Sequence, residues 1–280
     1  MFLIADSGST KTDWALVGPG GAVTSLKTQG INPVHQSEQA ISAILRDELL
    51  PQLGHVAVDR VFFYGSGVRP DREPLMSSLL RAATGAEDVM AKGDLLGAAR
   101  ALCGRSEGLA CILGTGANSC LFDGEKIVAN TPPLGYILGD EGSGAVLGRE
   151  LLGALYKGLL PQELLSVFEF EMAMTLTDVI ERVYRQPMPN RFLASLSPFI
   201  HSHLQVEGVQ RMVVGCFRSF LRRNVVPYQR PDLPLKAVGS VAHYYREQLA
   251  QAAKEEGYTL GMTMRSPLKA LVAYHASAAV

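Results

Sequence analysis

Residues 6–13 read Asp-Ser-Gly-Ser-Thr-Lys-Thr-Asp, between an apolar run at residues 2–5 and another at residues 14–17. The pattern predicts two β-strands joined by a short hairpin whose tip is rich in small hydroxyl residues. Backbone N–H groups and hydroxyls at such a tip can bind phosphate oxygens, and Gly8 lets a ligand come close. A carboxylate at the base of the loop, Asp6, can hold Mg²⁺ directly or through water. A solvent-exposed hairpin tip capped by polar residues explains the segment equally well.

A similar segment begins at residue 109. The continuous apolar run Leu109–Leu113 is typical of a strand buried on both faces, and a loop at residues 114–118 follows it. Two more predicted strands come next, at residues 119–122 and 126–129, with a tight turn between them. The same order of strands, loop and turn occupies residues 2–27, about 108 residues earlier. The repeat predicts duplicated domains with a cleft between them, although a Gly-Thr-Gly segment alone is also a plain turn.

Length and composition agree with two modest domains in a soluble protein. The chain has 280 residues, and the usual domain holds about 150. It is 47% hydrophobic and 19% charged, and its net charge of −1 argues against binding to nucleic acid or to a charged membrane surface. No run of 18 apolar residues occurs, and no basic segment followed by an apolar one opens the chain, so we expect a cytoplasmic protein. The four cysteines form no Cys-x-x-Cys pair, which favours buried reduced thiols.

Apolar spacing predicts the remaining elements. In the first half, strands are predicted at residues 2–5, 13–17, 22–26 and 60–64, and helices at 36–50, 75–82 and 94–103. Pro51 is predicted to end the first of these helices. In the second half, helices are predicted at 144–160, 162–171, 177–184, 191–204, 207–225, 240–256 and 266–276, with a strand at 235–239.

Four polar loops supported by glycine stand at strand ends or helix starts. They are residues 6–13, Gly93-Asp94, residues 114–118, and Gly139-Asp-Glu-Gly-Ser-Gly144. Each has a simple structural explanation: Asp94 is well placed to cap the next helix, and acidic residues suit the positive end of a helix dipole. Four such loops across two repeated halves are more than turns and caps require, so we predict that they form one site.

Taken in this order, the loops resemble the N-acetylglucosamine kinase-like branch of the BadF/BadG/BcrA/BcrD ATPase family. That family belongs to the actin–hexokinase–Hsp70 superfamily. The resemblance extends from the first strand to the helix after Ser240. It implies an α/β fold of two duplicated ribonuclease H-like domains, at residues 1–107 and 108–280, with a nucleotide cleft between them. The closing helix at 266–278 is a candidate to pack back on the N-terminal domain.

The resemblance also implies an ATP site with Mg²⁺ as cofactor. The residues that match its ATP- and phosphate-binding positions are Gly8, Ser9, Thr10, Lys11, Gly114, Thr115, Gly116, Gly239, Ser240 and Tyr244. Of these, the last three match the corner that binds adenosine. Asp6 matches the position that holds the metal. Lys11 can contact a phosphate, or equally well form a salt bridge with Asp13.

For the second substrate, the resemblance implies a sugar. Asp94 matches the general base, and the positions that hydrogen-bond sugar hydroxyls are matched by Asn32, Asn118, Gly135 and Asp140. Tyr136 is a candidate aromatic face for the sugar ring and also a candidate core residue.

Three departures leave the acceptor sugar open. Ala117 stands where the family usually has Ser, Pro33 follows Asn32 where the family's loop often differs, and the second domain is short. The resemblance as a whole implies an ATP-dependent kinase, and the departures leave its acceptor as the 6-hydroxyl of N-acetylglucosamine or of a related amino sugar or hexose. A base in such a reaction contributes roughly 10²- to 10⁴-fold in rate.

Two alternatives are left open, one from the same superfamily and one from a different functional class. The first is an ATPase that activates a partner enzyme through a shared iron–sulfur cluster, which needs cysteines at helix ends. Cys103 ends a predicted helix, but Cys111 and Cys120 fall in strands, and the Gly-Gly-Gln-Asp loop of those activators is absent. The second is a sensor of sugar or nucleotide without catalysis, against which the intact acidic residues argue. The expected partners are a sugar and ATP, with no nucleic acid and no membrane, and a homodimer is left open.

Overall fold

The computed structural model describes residues 1–8 and 10–277, and its architecture is α/β. The chain forms two compact units. The first contains Met1–Ser106, Gly124–Lys126 and the C-terminal segment that begins at Ser266. The second contains Glu107–Asp123 and Ile127–Arg265. The boundary between residues 107 and 108 stays a prediction, because compact packing does not by itself show which part of the chain folds alone.

A five-stranded sheet lies in the first unit. Its strands are β1 (Phe2–Ser7), β2 (Lys11–Val17), β3 (Val23–Gln29), β4 (Arg60–Gly65) and β5 (Asp88–Gly93). Their order across the sheet is β3-β2-β1-β4-β5. The first three strands pair in antiparallel fashion, whereas β4 runs parallel to both β1 and β5. Parallel strands need long crossover connections, and helices supply them.

The sheet of the second unit repeats this arrangement. Its strands are β6 (Gly108–Leu113), β7 (Ala117–Phe122), β8 (Ile127–Ala129), β9 (Leu235–Val238) and β10 (Leu260–Met264). They are ordered β8-β7-β6-β9-β10, with β6, β7 and β8 antiparallel and β9 parallel to both β6 and β10. Order and strand directions are the same as in the first sheet. The prediction of two duplicated ribonuclease H-like domains is confirmed.

Helices cover the sheets, and more of them lie in the second unit. Those of the first unit are α1 (Glu38–Ile44), α2 (Leu50–Leu53), α3 (Glu73–Thr84), α4 (Asp94–Cys103) and, after the second unit, α14 (Leu268–Ala276). Those of the second unit are α5 (Gly135–Leu138), α6 (Gly144–Tyr156), α7 (Gln162–Met172), α8 (Leu176–Tyr184), α9 (Pro189–Ser195), α10 (Ser197–Ser202), α11 (Glu207–Phe220), α12 (Ser240–Tyr244) and α13 (Arg246–Glu255). No helix in the described ranges is both long and apolar enough to cross a membrane.

Each unit has its own hydrophobic core. In the first, the fully buried Trp14 and Phe63 contact each other with ring centroids 5.7 Å apart. The buried indole N–H of Trp14 donates to Thr28 Oγ1 at 3.0 Å, so burial leaves no donor unsatisfied there. In the second, the rings of Phe168 and Phe199 meet edge to face at 5.2 Å. Alternation along the strands and helical spacing along the helices bring these side chains inward.

Three predicted helices differ from the structure in an instructive way. The helix expected to end at Pro51 continues to Leu53. A wider π turn at Leu45–Leu49 precedes α2, so Pro51 lies in the first turn of α2. Proline is tolerated there because the N–H that it lacks would have no hydrogen-bond partner within the helix. Gly54, with φ of 62°, ends α2. The single helix expected at residues 191–204 is two helices, α9 and α10, which meet at Leu196. The single helix expected at residues 240–256 is also two helices, α12 and α13, which meet at Tyr245.

Candidate active site

The carboxyl edge of the first sheet brings several predicted residues together. In the parallel register, Ser7 at the end of β1 is paired with Gly65 of β4, and Gly65 with Gly93 of β5. Asp6 precedes the first of these positions and Asp94 follows the last. The two carboxylates are close enough that the charge of Asp94 raises the pKa of Asp6. Ligand sites of open α/β sheets usually lie at this edge.

The first predicted phosphate loop is the short connection between β1 and β2. Gly8 and Thr10 are exposed, and the Gly8 N–H donates to the carbonyl of Lys11 at 3.0 Å. Ser9 lies outside the described residues. The Lys11 ammonium contacts the Asp13 carboxylate at 2.5 Å. Of the two contacts that the sequence allowed for Lys11, a phosphate or Asp13, this is the salt bridge with Asp13.

Two hydroxyls of this loop turn inward. Ser7 Oγ and Thr12 Oγ1 are buried and lie 2.7 Å apart. Ser7 Oγ also accepts from the backbone N–H of Ile31 at 3.1 Å. These hydroxyls fix the strands at the base of the loop, so the hydroxyl-rich composition of the segment is partly structural.

Burial raises the pKa of both carboxyl groups at this edge, and like charge adds to the rise at Asp6. Burial contributes most to raising the pKa of Asp6 to about 7, the charges of Asp94 and Asp13 raise it further, and Lys11 opposes them. Burial also raises the pKa of Asp94, while backbone N–H groups at Leu95 and at Asp94 itself lower it. The structure also shows that Asp94 does not cap the helix, as the sequence suggested it could. Gly93 occupies that position with φ of −64° and ψ of 148°, and Asp94 is the first residue of α4.

Asn32 is held beside a loop that the sequence analysis missed. Its side chain is buried, and Oδ1 accepts from the Val34 N–H at 3.0 Å. Gly67, in the loop after β4, has φ of +77°, and a Cβ there would lie 2.1 Å from Asn32 Oδ1. The same loop approaches the start of α4, because a Cβ on Gly93 would meet the Val68 carbonyl oxygen at 3.2 Å. The sequence signal for it was Gly-Ser-Gly directly after an apolar run.

In the second unit, the other predicted phosphate loop is bound to the amino end of α6. The Gly114 N–H donates to the carbonyl of Gly116 at 2.9 Å, which closes the loop on itself. The N–H groups of Gly144 and Ala145 donate to the carbonyls of Gly114 and Thr115 at 2.8 and 3.2 Å. The Thr115 side chain is exposed at the tip. The helix thus fixes the backbone of the loop.

Asp140 is bonded to the same loop. It adopts a left-handed backbone with φ of 53°, and its Oδ1 accepts from the Ala117 N–H at 3.3 Å. Gly116 permits this approach, since a Cβ there would lie 3.1 Å from Asp140 Oδ2. Burial is the main cause that raises the pKa of Asp140, the bond from Ala117 lowers it, and the charge of Glu141 raises it.

The other two predicted sugar contacts of this unit differ in their surroundings. Asn118 is half-buried, and its Oδ1 accepts from the Ser119 N–H and from Asn130 Nδ2, both at 2.9 Å. Gly135 is exposed, has φ of +75° and begins the short helix α5. Tyr136 packs against the core of the unit, as one of its two predicted roles requires. Asn130 was missed, because nothing in its local sequence marks it.

The predicted adenosine corner lies directly beside the second loop. Gly239 has φ of +127°, and a Cβ there would lie 2.1 Å from the Leu113 carbonyl oxygen. Its N–H donates to the Met264 carbonyl at 2.9 Å, which joins the ends of β9 and β10. Ser240 begins α12 and is exposed, and the Tyr244 ring is half-exposed one turn later. Only glycine can make this corner, because it needs both the positive φ and the close approach.

The donor chemistry at Asp6 fits Mg²⁺. Among residues 1–8 and 10–277, no group of three or more His, Cys, Asp or Glu side chains is arranged to hold a metal ion by itself. Mg²⁺ usually binds through one or two carboxylates together with water and substrate phosphates. A cation beside Asp6 would oppose both causes that raise the pKa of this carboxyl group, burial first and the like charge of Asp94 and Asp13 second.

The cysteines do not favour the iron–sulfur alternative. All four cysteine side chains, at positions 103, 111, 120 and 216, are buried. A cluster shared with a partner enzyme would need thiolates at the surface.

Comparison with known proteins gives the family. Over its full length the chain is similar to a solved structure from Porphyromonas gingivalis that carries the provisional name N-acetylglucosamine kinase. The two are 51% identical, 100% of each chain is covered, and the TM-score is 0.97. The chain belongs to the N-acetylglucosamine kinase-like family. No family model and no curated protein matches it.

Two more distant structures share the fold of this N-acetylglucosamine kinase-like chain. One, from Chromobacterium violaceum, carries the same provisional name, and it is 18% identical over 98% of each chain with a TM-score of 0.72. The other is a ROK family glucokinase from Streptomyces griseus in complex with glucose and AMPPNP. It is 16% identical, covers 99% of this chain and 98% of its own, and has a TM-score of 0.58. At such low identity these two structures bear on the fold alone.

Proposed function

We propose that the chain is an ATP-dependent sugar kinase that phosphorylates the 6-hydroxyl of N-acetylglucosamine or of a related amino sugar or hexose. The observation that carries the proposal is the pair of carboxylates at one sheet edge, Asp6 at the end of β1 and Asp94 at the start of α4. Full-length similarity to a chain with the provisional name N-acetylglucosamine kinase supports it. ATP as phosphoryl donor makes the cytoplasm the proposed place of action.

Asp94 is proposed as the general base. A sugar hydroxyl must lose its proton as its oxygen attacks the γ-phosphate, and a carboxylate within hydrogen-bond reach can accept that proton. Burial raises the pKa of Asp94, which makes its carboxylate a stronger base than one in water. The N–H groups at the start of α4 keep the carboxylate oriented.

The phosphates of ATP are proposed to bind the two glycine-containing loops. In the first unit these are Gly8, Ser9 and Thr10, with Lys11 able to exchange its bond to Asp13 for a phosphate oxygen. In the second unit they are Gly114, Thr115 and Gly116, whose backbone α6 holds in place. The adenosine is proposed to bind at Gly239, Ser240 and Tyr244.

Asp6 is the proposed metal-site residue. Bound Mg²⁺ would neutralise negative charge on the phosphates during transfer. The chain's contribution is a buried carboxylate whose pKa of about 7 falls when a cation is near. Asn32, Asn118, Gly135 and Asp140 are proposed to bind the sugar, with the amides and the carboxylate supplying short, fixed hydrogen-bonding groups.

The test of the function is a coupled assay of ADP release with Mg²⁺ and a panel of sugars. The panel contains N-acetylglucosamine, glucosamine, N-acetylmannosamine, glucose and a 6-deoxy analogue of each. We expect one amino sugar or hexose to stimulate ADP release and its 6-deoxy analogue to give none. ATP hydrolysis that no sugar stimulates would contradict the proposal, as would full activity of a 6-deoxy sugar.

The role of Asp94 has its own test. We expect Asp94→Asn to lower kcat by roughly 10²- to 10⁴-fold with a change in sugar KM of no more than a few fold, because the amide keeps the shape but accepts no proton. The matched control is Asp88→Asn, at the exposed far end of β5, where the carboxylate pairs with Arg60. Unchanged kcat in Asp94→Asn rules out this base.

A further inference from the structure

Asn118 has no capacity left for accepting a hydrogen bond. A side-chain amide oxygen has two lone pairs, and both are used here, by the Ser119 N–H and by Asn130 Nδ2 at 2.9 Å each. Rotating the amide by 180° would place its NH₂ group against those two donors. The orientation is therefore fixed, with the oxygen inward and the NH₂ group outward.

Asn130 is in turn held firmly. It directly follows β8, and its Nδ2 also lies 2.7 Å from the Ser119 carbonyl oxygen and 3.1 Å from that of Thr131. The Tyr228 hydroxyl accepts from the Thr131 N–H and donates to the Ser119 carbonyl, both at 2.9 Å. Thr131 Oγ1 donates to the Asn224 carbonyl at 3.1 Å. The two Tyr228 bonds anchor the backbone on both sides of the contact with Asn118.

We propose that Asn130 is a positioning residue that fixes Asn118 as a hydrogen-bond donor to the sugar. Asn118 then binds an acceptor atom, such as an acyl carbonyl oxygen or a hydroxyl oxygen. Asp140, whose ionised carboxylate can only accept, binds a hydroxyl that donates. The inference rests on the proposed function, because it assumes that Asn118 contacts sugar.

The first experiment is a double-mutant cycle with Asn118→Ala and Asn130→Ala, read as KM for sugar, KM for ATP and kcat. If Asn130 acts through Asn118, Asn130→Ala raises the KM for sugar by about 10-fold, leaves the KM for ATP within about 2-fold, and has no further effect once Asn118 is alanine. Equal effects of Asn130→Ala with and without Asn118 overturn the inference. So does an equal rise in both KM values.

Two control variants separate positioning from folding. Thr131→Val removes the neighbouring bond to Asn224 without touching Asn118, and we expect it to leave the KM for sugar within about 2-fold. Asn130→Ser keeps one donor and is expected to recover part of the affinity for sugar that Asn130→Ala loses. A rise in KM for Thr131→Val as large as that for Asn130→Ala would overturn the inference.

The direction of the hydrogen bond is tested by Asn118→Asp. This variant keeps the shape and both inward bonds but has no outward donor, so we expect a rise in KM for sugar at least as large as that of Asn118→Ala. Wild-type affinity in Asn118→Asp would overturn the assignment of Asn118 as donor.

A measurement without substrate separates this inference from the proposed function. The side-chain amide signals of Asn118 in the ¹⁵N spectrum, identified by their loss in Asn118→Ala, are expected to shift or broaden in Asn130→Ala. Unchanged signals overturn the positioning role. Absence of sugar-stimulated ADP release in the wild-type chain contradicts instead the proposed function and the sugar contact that the inference assumes.

Discussion

Asp6 combines two properties that oppose each other in the isolated chain. It lies at the base of the first loop, where a metal ion and phosphates are proposed to bind, and it is largely buried beside Asp94 and Asp13. Without a cation its ionised form is unfavourable, which is why its pKa is raised to about 7. A residue arranged for a ligand therefore lowers the stability of the ligand-free protein.

This conflict predicts a pH-dependent gain in stability for Asp6→Asn. The folded state holds the Asp6 proton up to a pH of about 7, whereas the unfolded state releases it near 3.8, so the free energy of unfolding of the wild type falls as pH rises between these values. We expect Asp6→Asn to exceed the wild type by about 2 to 4 kcal/mol more at pH 8 than at pH 4. The measurement is urea unfolding with EDTA and no nucleotide.

Asp71→Asn, at an exposed aspartate of the same unit, is the control for that comparison. We expect its stability relative to the wild type to stay nearly constant over this pH range. A pH-independent difference between Asp6→Asn and the wild type would contradict the account of Asp6.

At the scale of single residues, the sequence predicts a candidate site residue only where a local sequence pattern marks it. Gly-Asp at residues 93 and 94 predicted an acid at a helix start, and it lies there, one position inside the helix instead of capping it. Asn130 could not be found in this way. Its role depends on the pairing of β7 with β8 and on the distant Tyr228, and neither leaves a local pattern.

Among the elements, α4 is the one whose position matters most for the proposed chemistry, because it begins with Asp94. It packs against Tyr64 of β4 through Gly97, where a Cβ would lie 2.8 Å from the Tyr64 Cβ. The far end of α4 is fixed too, since Arg100 donates to the Tyr64 hydroxyl at 2.8 Å. The helix is therefore held to the sheet at two points along its length.

A pair of helical glycines tests this packing. We expect Gly97→Ala to destabilise the protein by about 1 to 3 kcal/mol, because the methyl group forces α4 away from Tyr64. Gly153→Ala, inside α6 where the added methyl meets open space, should stabilise it by about 0.5 to 1 kcal/mol. Urea unfolding of both variants gives the comparison. Stabilisation by both changes would show that helix propensity alone decides, and destabilisation by both would contradict the open space at Gly153.

Elements with strong periodicity were predicted well, and those without it were missed. β5, Asp-Val-Met-Ala-Lys-Gly, has no alternation of apolar and polar residues, and the alternation in β10, Leu-Gly-Met-Thr-Met, is short and includes a glycine. They are strands because a parallel neighbour supplies their hydrogen bonds. Tertiary pairing, which local propensity does not contain, decides in such cases.

On the scale of the whole molecule, hydrophobic clusters confined to one unit each predict two regions whose stability can be changed separately. Leu271 of α14 is fully buried against Ile4, Phe62 and Tyr64 in the first unit. Leu147 of α6 is fully buried in the core of the second. Substituting alanine for a buried leucine costs about 2 to 5 kcal/mol. We expect Leu271→Ala to speed hydrogen exchange mainly in β1, β4 and β5, and Leu147→Ala mainly in β6, β7 and β9.

Mass spectrometry of peptides after hydrogen exchange provides this measurement, and each variant serves as the control for the other. Equal acceleration in both sheets by either variant would show that the chain unfolds as one cooperative unit.

The duplication was the part of the fold most open to sequence analysis. Two loops of similar composition about 108 residues apart, each between a buried strand and a second strand, predicted the shared topology of the sheets. The small segment Gly124–Lys126, which packs with the first unit, has no such signal. Gly124 has φ of +103°, and a Cβ there would lie 2.5 Å from the Arg105 carbonyl oxygen, a contact visible only in three dimensions.

The return of α14 to the first unit sets the order in which the protein can be completed during its synthesis. Leu271, which covers part of the core of the first unit, is synthesised only after the whole second unit. The second unit needs no residue beyond Arg265, so it has all of its chain earlier. Until α14 has been synthesised, the side chains of Ile4 and Phe62 lack this cover, and the nascent protein presents an apolar surface that chaperones can bind.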